Sequence, residues 1–204
     1  MQIDYSTILT ITLIGYLIGS LQPAYIIGKL FKGTDIREHG SKNAGASNAV
    51  LLFGWQIGLF AGLIDIFKAT VSVLIVKSMF VGHENLDVMM FFTGLMTIIG
   101  HNYPFYMGFK GGKGTASLVG MMFGIELIYG IIIAAQILIT MKITKYIVLG
   151  TMGAYIILMG WSIYNGNIYI IIMSLFLSYL GVSKHWENLI RIRKGEEHSL
   201  DDVK

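Results

Sequence analysis

Six apolar runs divide the chain, at residues 8–28, 49–76, 88–109, 116–140, 146–164 and 168–182, and most of its polar chemistry is gathered into three short islands, 35–48, 110–115 and 184–197. Most of the runs approach the roughly 20 residues that a helix needs to cross the ~30 Å hydrocarbon core of a bilayer. The pattern predicts an all-α, polytopic integral membrane protein with its chemistry in the three islands.

Charge then fixes orientation. If the first run enters from outside, Lys29, Lys32, Arg37, Lys42, Lys110 and Lys113 fall on the inner side, and the outer turn near 82–87 has only Lys77 at its edge. That asymmetry follows the positive-inside rule. Simple alternation would leave the third island, with Lys184, Arg191, Arg193 and Lys194, outside, against the same rule. The run 116–140 resolves the conflict, because Gly124 and Glu126 interrupt it and divide it into two short helices. About seven transmembrane helices, some short, with all three islands cytoplasmic, is the expected topology. A single long re-entrant segment would preserve the sidedness and change only the count.

Composition adds limits rather than detail. Apolar residues make up 54% of the 204 and charged ones 13%, with no linker or low-complexity tract, so one membrane domain over 1–204 is expected. The first run lacks a basic start and a small-residue cleavage site, and reads as a retained helix. With no cysteine, thiolate nucleophiles, disulfides and cysteine-bound zinc are excluded. The net charge of +3 matters only through its placement.

The second island and its flanks read Gly-Phe-Lys-Gly-Gly-Lys-Gly-Thr from Gly108 to Thr115. Glycines let successive amides converge on an anion, lysines add charge, and the helix that follows presents its amino-terminal dipole. No glycine stands five residues before Gly112, and Gly114 replaces the Ser or Thr of a Walker A loop, so a nucleoside triphosphate is not implied. A flexible basic turn satisfies the spacing equally well. The first island crowds Arg37, Ser41, Lys42, Asn43, Gly45 and Asn48 into one loop, suited to a polyoxyanion or to a solvated turn with helix caps. In the third, His185, Asn188 and Arg191 recur at helical i, i+3, i+6 spacing and share one face. Asp65 and Lys68 lie inside the second run at i, i+3 and are expected to pair for structural reasons. His101, close to the second island, either orients the cradle or packs. His39, His83 and His198 have no metal-site spacing.

Taken in order, Gly19-Ser20, Asp35-Ile36-Arg37, the stretch from Gly40-Ser41 to Asn48, Gly100-His101 with Pro104, Gly111 to Gly114, His185-Trp186-Glu187-Asn188, then Arg191, Gly195 and Glu196, resemble the PlsY family of bacterial membrane acyltransferases over essentially the whole chain. The resemblance implies transfer of a fatty acyl group from acyl phosphate to the 1-hydroxyl of glycerol 3-phosphate, giving lysophosphatidic acid and phosphate for phospholipid synthesis. It implies Ser41, Lys113, His185 and Asn188 as catalytic. Arg37, Lys42, Asn43, Gly45, Asn48, His101, Gly111, Gly112, Gly114 and Arg191 would bind substrate. Acyl phosphate would rest on Ser41, the Gly111–Gly114 backbone and Lys113, and glycerol 3-phosphate on Asn43, His185 and Asn188. No metal or coenzyme, no nucleic acid, a monomer among membrane lipids, and an inner-membrane location with a cytoplasmic site are the further expectations.

Three departures stand out: Lys42 where the family has glycine, Ser47 where it has threonine, and Leu51 where it has arginine. Gln22 also stands where proline is common. The departures leave a paralogue with another acceptor or little activity as the alternative. A small anion transporter is the rival from another class, though a carrier needs a midplane site and this chain keeps its polar clusters on one face.

Overall fold

The computed structural model describes residues 3–199, all helix and connecting turns, with no strand among them. Nine α-helices follow in order: α1 (Tyr5–Ser20), α2 (Pro23–Lys32), α3 (Ala46–Phe53), α4 (Trp55–Met79), α5 (Leu86–Asn102), α6 (Thr115–Ile125), α7 (Leu127–Thr144), α8 (Ile147–Asn165) and α9 (Ile168–Lys194). They form two compact units that divide at Leu127, α1–α6 in one and α7–α9 in the other.

In the first unit, the Asp4 carboxylate caps α1 by accepting from the Thr7 amide at 2.8 Å. The helix breaks at Leu21 and Gln22, and Pro23 opens α2, where a missing N–H is harmless. The side of α1 that carries Gly15 and Gly19 lies directly on the backbone of Thr93 and Thr97, so α1 and α5 approach as only small residues permit. α5 is the central helix, buried along most of its length and tied to α4 by a 2.7 Å bond between the Ser72 and Thr97 hydroxyls. Outward positions are apolar instead: Leu9, Leu13 and Leu17 on α1, and Phe60, Leu63 and Phe67 on α4, are exposed. A surface of this kind belongs in lipid.

In the second unit, Gly181 of α9 meets the Tyr155 ring of α8, and Tyr129 of α7 meets Trp161 of α8 with ring centroids 6.2 Å apart. Tyr155 Oη, Ser174 Oγ and Ser178 Oγ are buried there without a hydrogen-bond partner.

Five segments have the length and apolarity to cross a membrane: Tyr5–Lys32, Trp55–Met79, Leu127–Thr144, Ile147–Asn165 and Ile168–Lys194. The run 116–140 does divide, at an exposed Glu126 whose extended backbone ends α6, but only the first piece is short, 11 residues against 18. The run 49–76 needs correction. Gly54, at φ +91°, separates α3 from α4, so the long helix starts at Trp55 and α3 belongs to the first island. A break that only a positive φ reveals is invisible to hydropathy.

Candidate active site

The first island is a loop wound around one asparagine. Asn48 is fully buried. Its Oδ1 accepts from the Ser41 amide at 2.8 Å, and its Nδ2 donates to the carbonyls of Ile36, His39 and Asn43 at 2.8, 3.1 and 2.9 Å. An amide so engaged has no donor left for a ligand. Asn48, expected among the substrate ligands, therefore shapes the loop instead. Asn43 crosses the same turn, donating to Ser41 Oγ at 2.8 Å and accepting from the Gly45 amide at 2.9 Å. Ser41 accepts there and keeps its own hydroxyl hydrogen for a ligand. Lys42 adopts φ +54° and stays exposed, a conformation that costs a side-chain-bearing residue about 1 kcal/mol. Leu51 sits half-buried on α3, one apolar side chain among others.

Arg37 joins this loop to the second island. Its Nη2 and Nε donate to Asp35 at 2.8 and 3.0 Å, its Nη1 to the Met107 and Lys110 carbonyls at 2.7 and 3.2 Å, and its guanidinium lies 5.0 Å from the Tyr25 ring centroid. The guanidinium beside it holds the Asp35 carboxyl down at about 2. Expected as a substrate ligand, Arg37 is committed to holding two loops together. The Ala44 amide completes the joint by donating to the Gly111 carbonyl at 3.3 Å. Between the loops lies a cleft of about 550 Å³ lined by Arg37, Glu38, Lys42, Lys110 and the backbone of Gly108 and Gly111.

The second island folds back on the end of α5. The Gly111 and Gly112 amides donate to the Asn102 and His101 carbonyls, both at 3.1 Å, and the Gln22 side chain donates to the same His101 carbonyl at 2.8 Å. A Cβ on Gly112 would lie 2.0 Å from His101 Nε2, so the loop rests directly on the imidazole. Gly114 turns the chain at φ +87° and opens α6. Below that turn, Asn102 is fully buried with neither amide atom partnered, and the Ser117 hydroxyl is likewise unpartnered. Lys113 is half-buried within the loop.

Asp65 and Lys68 pair as their spacing predicts, with Lys68 Nζ 2.7 Å from Asp65 Oδ1. Sequence did not reveal that they hold the cradle's support. His101 Nδ1 lies 3.0 Å from Lys68 Nζ and 3.2 Å from Asp65 Oδ1, and His101 is itself buried. His101 thus stands under the glycine loop rather than in the open beside it. Gln22, a mere departure in the sequence, is a second support.

In the second unit, α9 carries His185, Asn188 and Arg191 on one face, as the spacing predicts. His185 Nδ1 lies 2.9 Å from the Gly181 carbonyl. A carbonyl only accepts, so Nδ1 carries the proton and Nε2 is the basic atom. The helix ends in a Schellman turn: Gly195, at φ +72°, donates to the Ile192 carbonyl, and Glu196 donates to that of Arg191. The reversal returns Glu197 onto the same face, where it accepts from Asn188 Nδ2 at 2.5 Å and from Arg191 Nε at 2.7 Å. Glu197 was not singled out from the sequence, because its role follows from the turn and not from helical spacing.

Comparison with known proteins agrees with this reading. Residues 9–195 match the family described as glycerol-3-phosphate acyltransferase. Glycerol-3-phosphate acyltransferase 1 of Oceanobacillus iheyensis is 39% identical over 197 residues, covering 94% of each chain. The Staphylococcus aureus (strain Newman) enzyme is 35% identical over 198 residues, 95% of this chain and 98% of its own. Among solved structures, PlsY, an integral membrane glycerol 3-phosphate acyltransferase, superposes in its glycerol 3-phosphate form with a TM-score of 0.86 at 29% identity over 96% of both chains. With residues 9–195 matched to the family and full-length relatives at 35–39% identity, the chain belongs to the glycerol-3-phosphate acyltransferase family of integral membrane enzymes.

Proposed function

We propose that this acyltransferase takes its acyl group from acyl phosphate and passes it to the 1-hydroxyl of glycerol 3-phosphate, releasing phosphate and lysophosphatidic acid. The joint between the first and second islands carries the proposal. Arg37 and the Ala44 amide lock a hydroxyl-bearing loop to a glycine loop, which is a support for a phosphate rather than for a nucleophile and its base. Ser41, Lys113 and the backbone of the Gly111–Gly114 loop, beyond the Gly111 and Gly112 amides that carbonyls already take, are read as its ligands, with Lys42 supplying a cation in the cleft that Leu51 does not.

Such a donor is already activated, so the protein chiefly has to align two anions beside the bilayer. The acceptor hydroxyl attacks the acyl carbon, the bond from that carbon to the phosphate oxygen breaks, and phosphate leaves. The hydroxyl proton passes to a phosphate oxygen or to His185 Nε2. Asn188 and Arg191 are read as holding the acceptor. No covalent acyl-enzyme and no cofactor is invoked. We read seven crossings, with α5 and α6 counted beside the five long segments, islands on the cytoplasmic side of the bacterial membrane, and a monomer among membrane lipids.

The test is phosphate release by purified protein given palmitoyl phosphate and glycerol 3-phosphate. Release that requires the acceptor and vanishes in Lys113→Ala is expected. Silence in the wild type with activity in Leu51→Arg would instead mark a relative that has lost this acceptor.

A further inference from the structure

The buried network under the glycine loop sets one nitrogen of His101 between an ammonium and a carboxylate. Lys68 Nζ has three hydrogens and three acceptors around it: Asp65 Oδ1 at 2.7 Å, the Leu21 carbonyl, and His101 Nδ1 at 3.0 Å. A proton on His101 Nδ1 could reach Asp65 Oδ1, 3.2 Å away, only with the Lys68 ammonium 3.0 Å from the same nitrogen, a clash of two donors. An imidazolium would set two cations against one carboxylate inside the helix bundle, where unbalanced charge is expensive. Asp65, Lys68 and His101 are all buried, so water does not relieve either arrangement. With Nδ1 accepting from Lys68, the ring is neutral and its hydrogen sits on Nε2, the atom that abuts Gly112.

We propose that Asp65 and Lys68 are positioning residues for acyl transfer, which hold His101 as the neutral Nε2–H tautomer so that a donor, not a lone pair, underlies the phosphate cradle. A lone pair there would repel an oxyanion seated on the glycine loop, whose Gly111 and Gly112 amides already donate to the Asn102 and His101 carbonyls. Structural pairing alone would require only that the two charges meet. The present geometry adds a third member whose tautomer they select and whose carbonyl also receives the Gln22 side chain and the Gly112 amide. This inference rests on the acyl phosphate reading for its purpose but not for its readout.

Nitrogen NMR of 15N-histidine-labelled protein in lipid nanodiscs, with the His101 signals identified by their loss in His101→Gln, reads the tautomer directly. The wild-type spectrum is expected to show a neutral ring with its hydrogen on Nε2. Lys68→Met is expected to move it to Nδ1, facing Asp65, and to lower kcat about tenfold while raising KM for palmitoyl phosphate. The Asp65→Asn/Lys68→Met double variant removes both charges, and low activity should persist in it. An imidazolium or an Nδ1–H ring in the wild type overturns the proposal, and so does full activity in the double variant. The wild-type spectrum needs no variant to fold and no particular substrate, so it stands apart from failure of the acyl phosphate reading.

Discussion

The two units of this protein hold their site residues in opposite ways. In α9 the candidate residues share one face of a single continuous helix, and one carboxylate from the turn beyond it, Glu197, clasps Asn188 and Arg191. In the first unit the candidate site is loop backbone, and it stays in place through Asn48, Arg37, Gln22 and a charged network buried between α4 and α5. A helix supplies its own geometry through its period, whereas a loop has to borrow geometry from its surroundings. The loop site should therefore be the more fragile, and failures should appear far from the loop itself.

Gly112→Ala is the harshest test of that contrast. Its Cβ would meet His101 Nε2 at 2.0 Å, and displacing the cradle by about an ångström should lower kcat/KM by about a hundredfold, in a protein that still purifies as a folded monodisperse species. Full activity in that variant would erase the distinction between the units. Lys68→Met comes next, by a different readout. It strands the Asp65 carboxylate in the bundle, and such uncompensated charges cost about 3–5 kcal/mol, visible as a lower midpoint of thermal unfolding in detergent.

For the helix-borne site, Glu197→Gln should be milder. It keeps the shape and weakens the charge-assisted bonds to Arg191 and Asn188, so the expected change is about a fivefold to tenfold rise in KM for glycerol 3-phosphate with stability nearly unaltered. Lys42→Gly separates backbone strain from charge. Removing a side chain at φ +54° should stabilise the loop by at most about 1 kcal/mol, while losing the cation should weaken acyl phosphate binding a few-fold. Tighter binding would deny Lys42 its proposed role.

Acidity gives the smallest effect. The Asp35 carboxyl is held at about 2, below its ordinary value, so its pairing with Arg37 stabilises the loop at neutral pH and is lost only as pH falls toward 2. Stability should show no Asp35-dependent step between pH 8 and 5, checked by comparing unfolding midpoints of the wild type and Asp35→Asn.

The same contrast explains what could be read from the chain. His185, Asn188 and Arg191 were legible because helical spacing alone puts them on one face, and the division of 116–140 because charge placement demanded it. Asp65 and Lys68 were legible as a pair for the same reason. Their third partner, His101, comes from a different helix, and no spacing connects residues 65 and 101. Gly54 split a run that hydropathy reads as continuous. Asn48 and Arg37 look like ligands in a one-dimensional list of donors, and only the folded loop reveals that Asn48 gives its donors to carbonyls and Arg37 gives its own to the Asp35 carboxylate and two carbonyls.

Binding of a non-hydrolysable palmitoyl phosphonate to the detergent-solubilised protein, followed calorimetrically, tests the central claim most directly. Wild type and His185→Ala should bind it alike, because the proposed donor site lies in the first unit, while Gly112→Ala and Lys113→Ala should lose it. Unchanged binding by Gly112→Ala, or equal loss in His185→Ala, would contradict the assignment of the acyl donor to the joined loops.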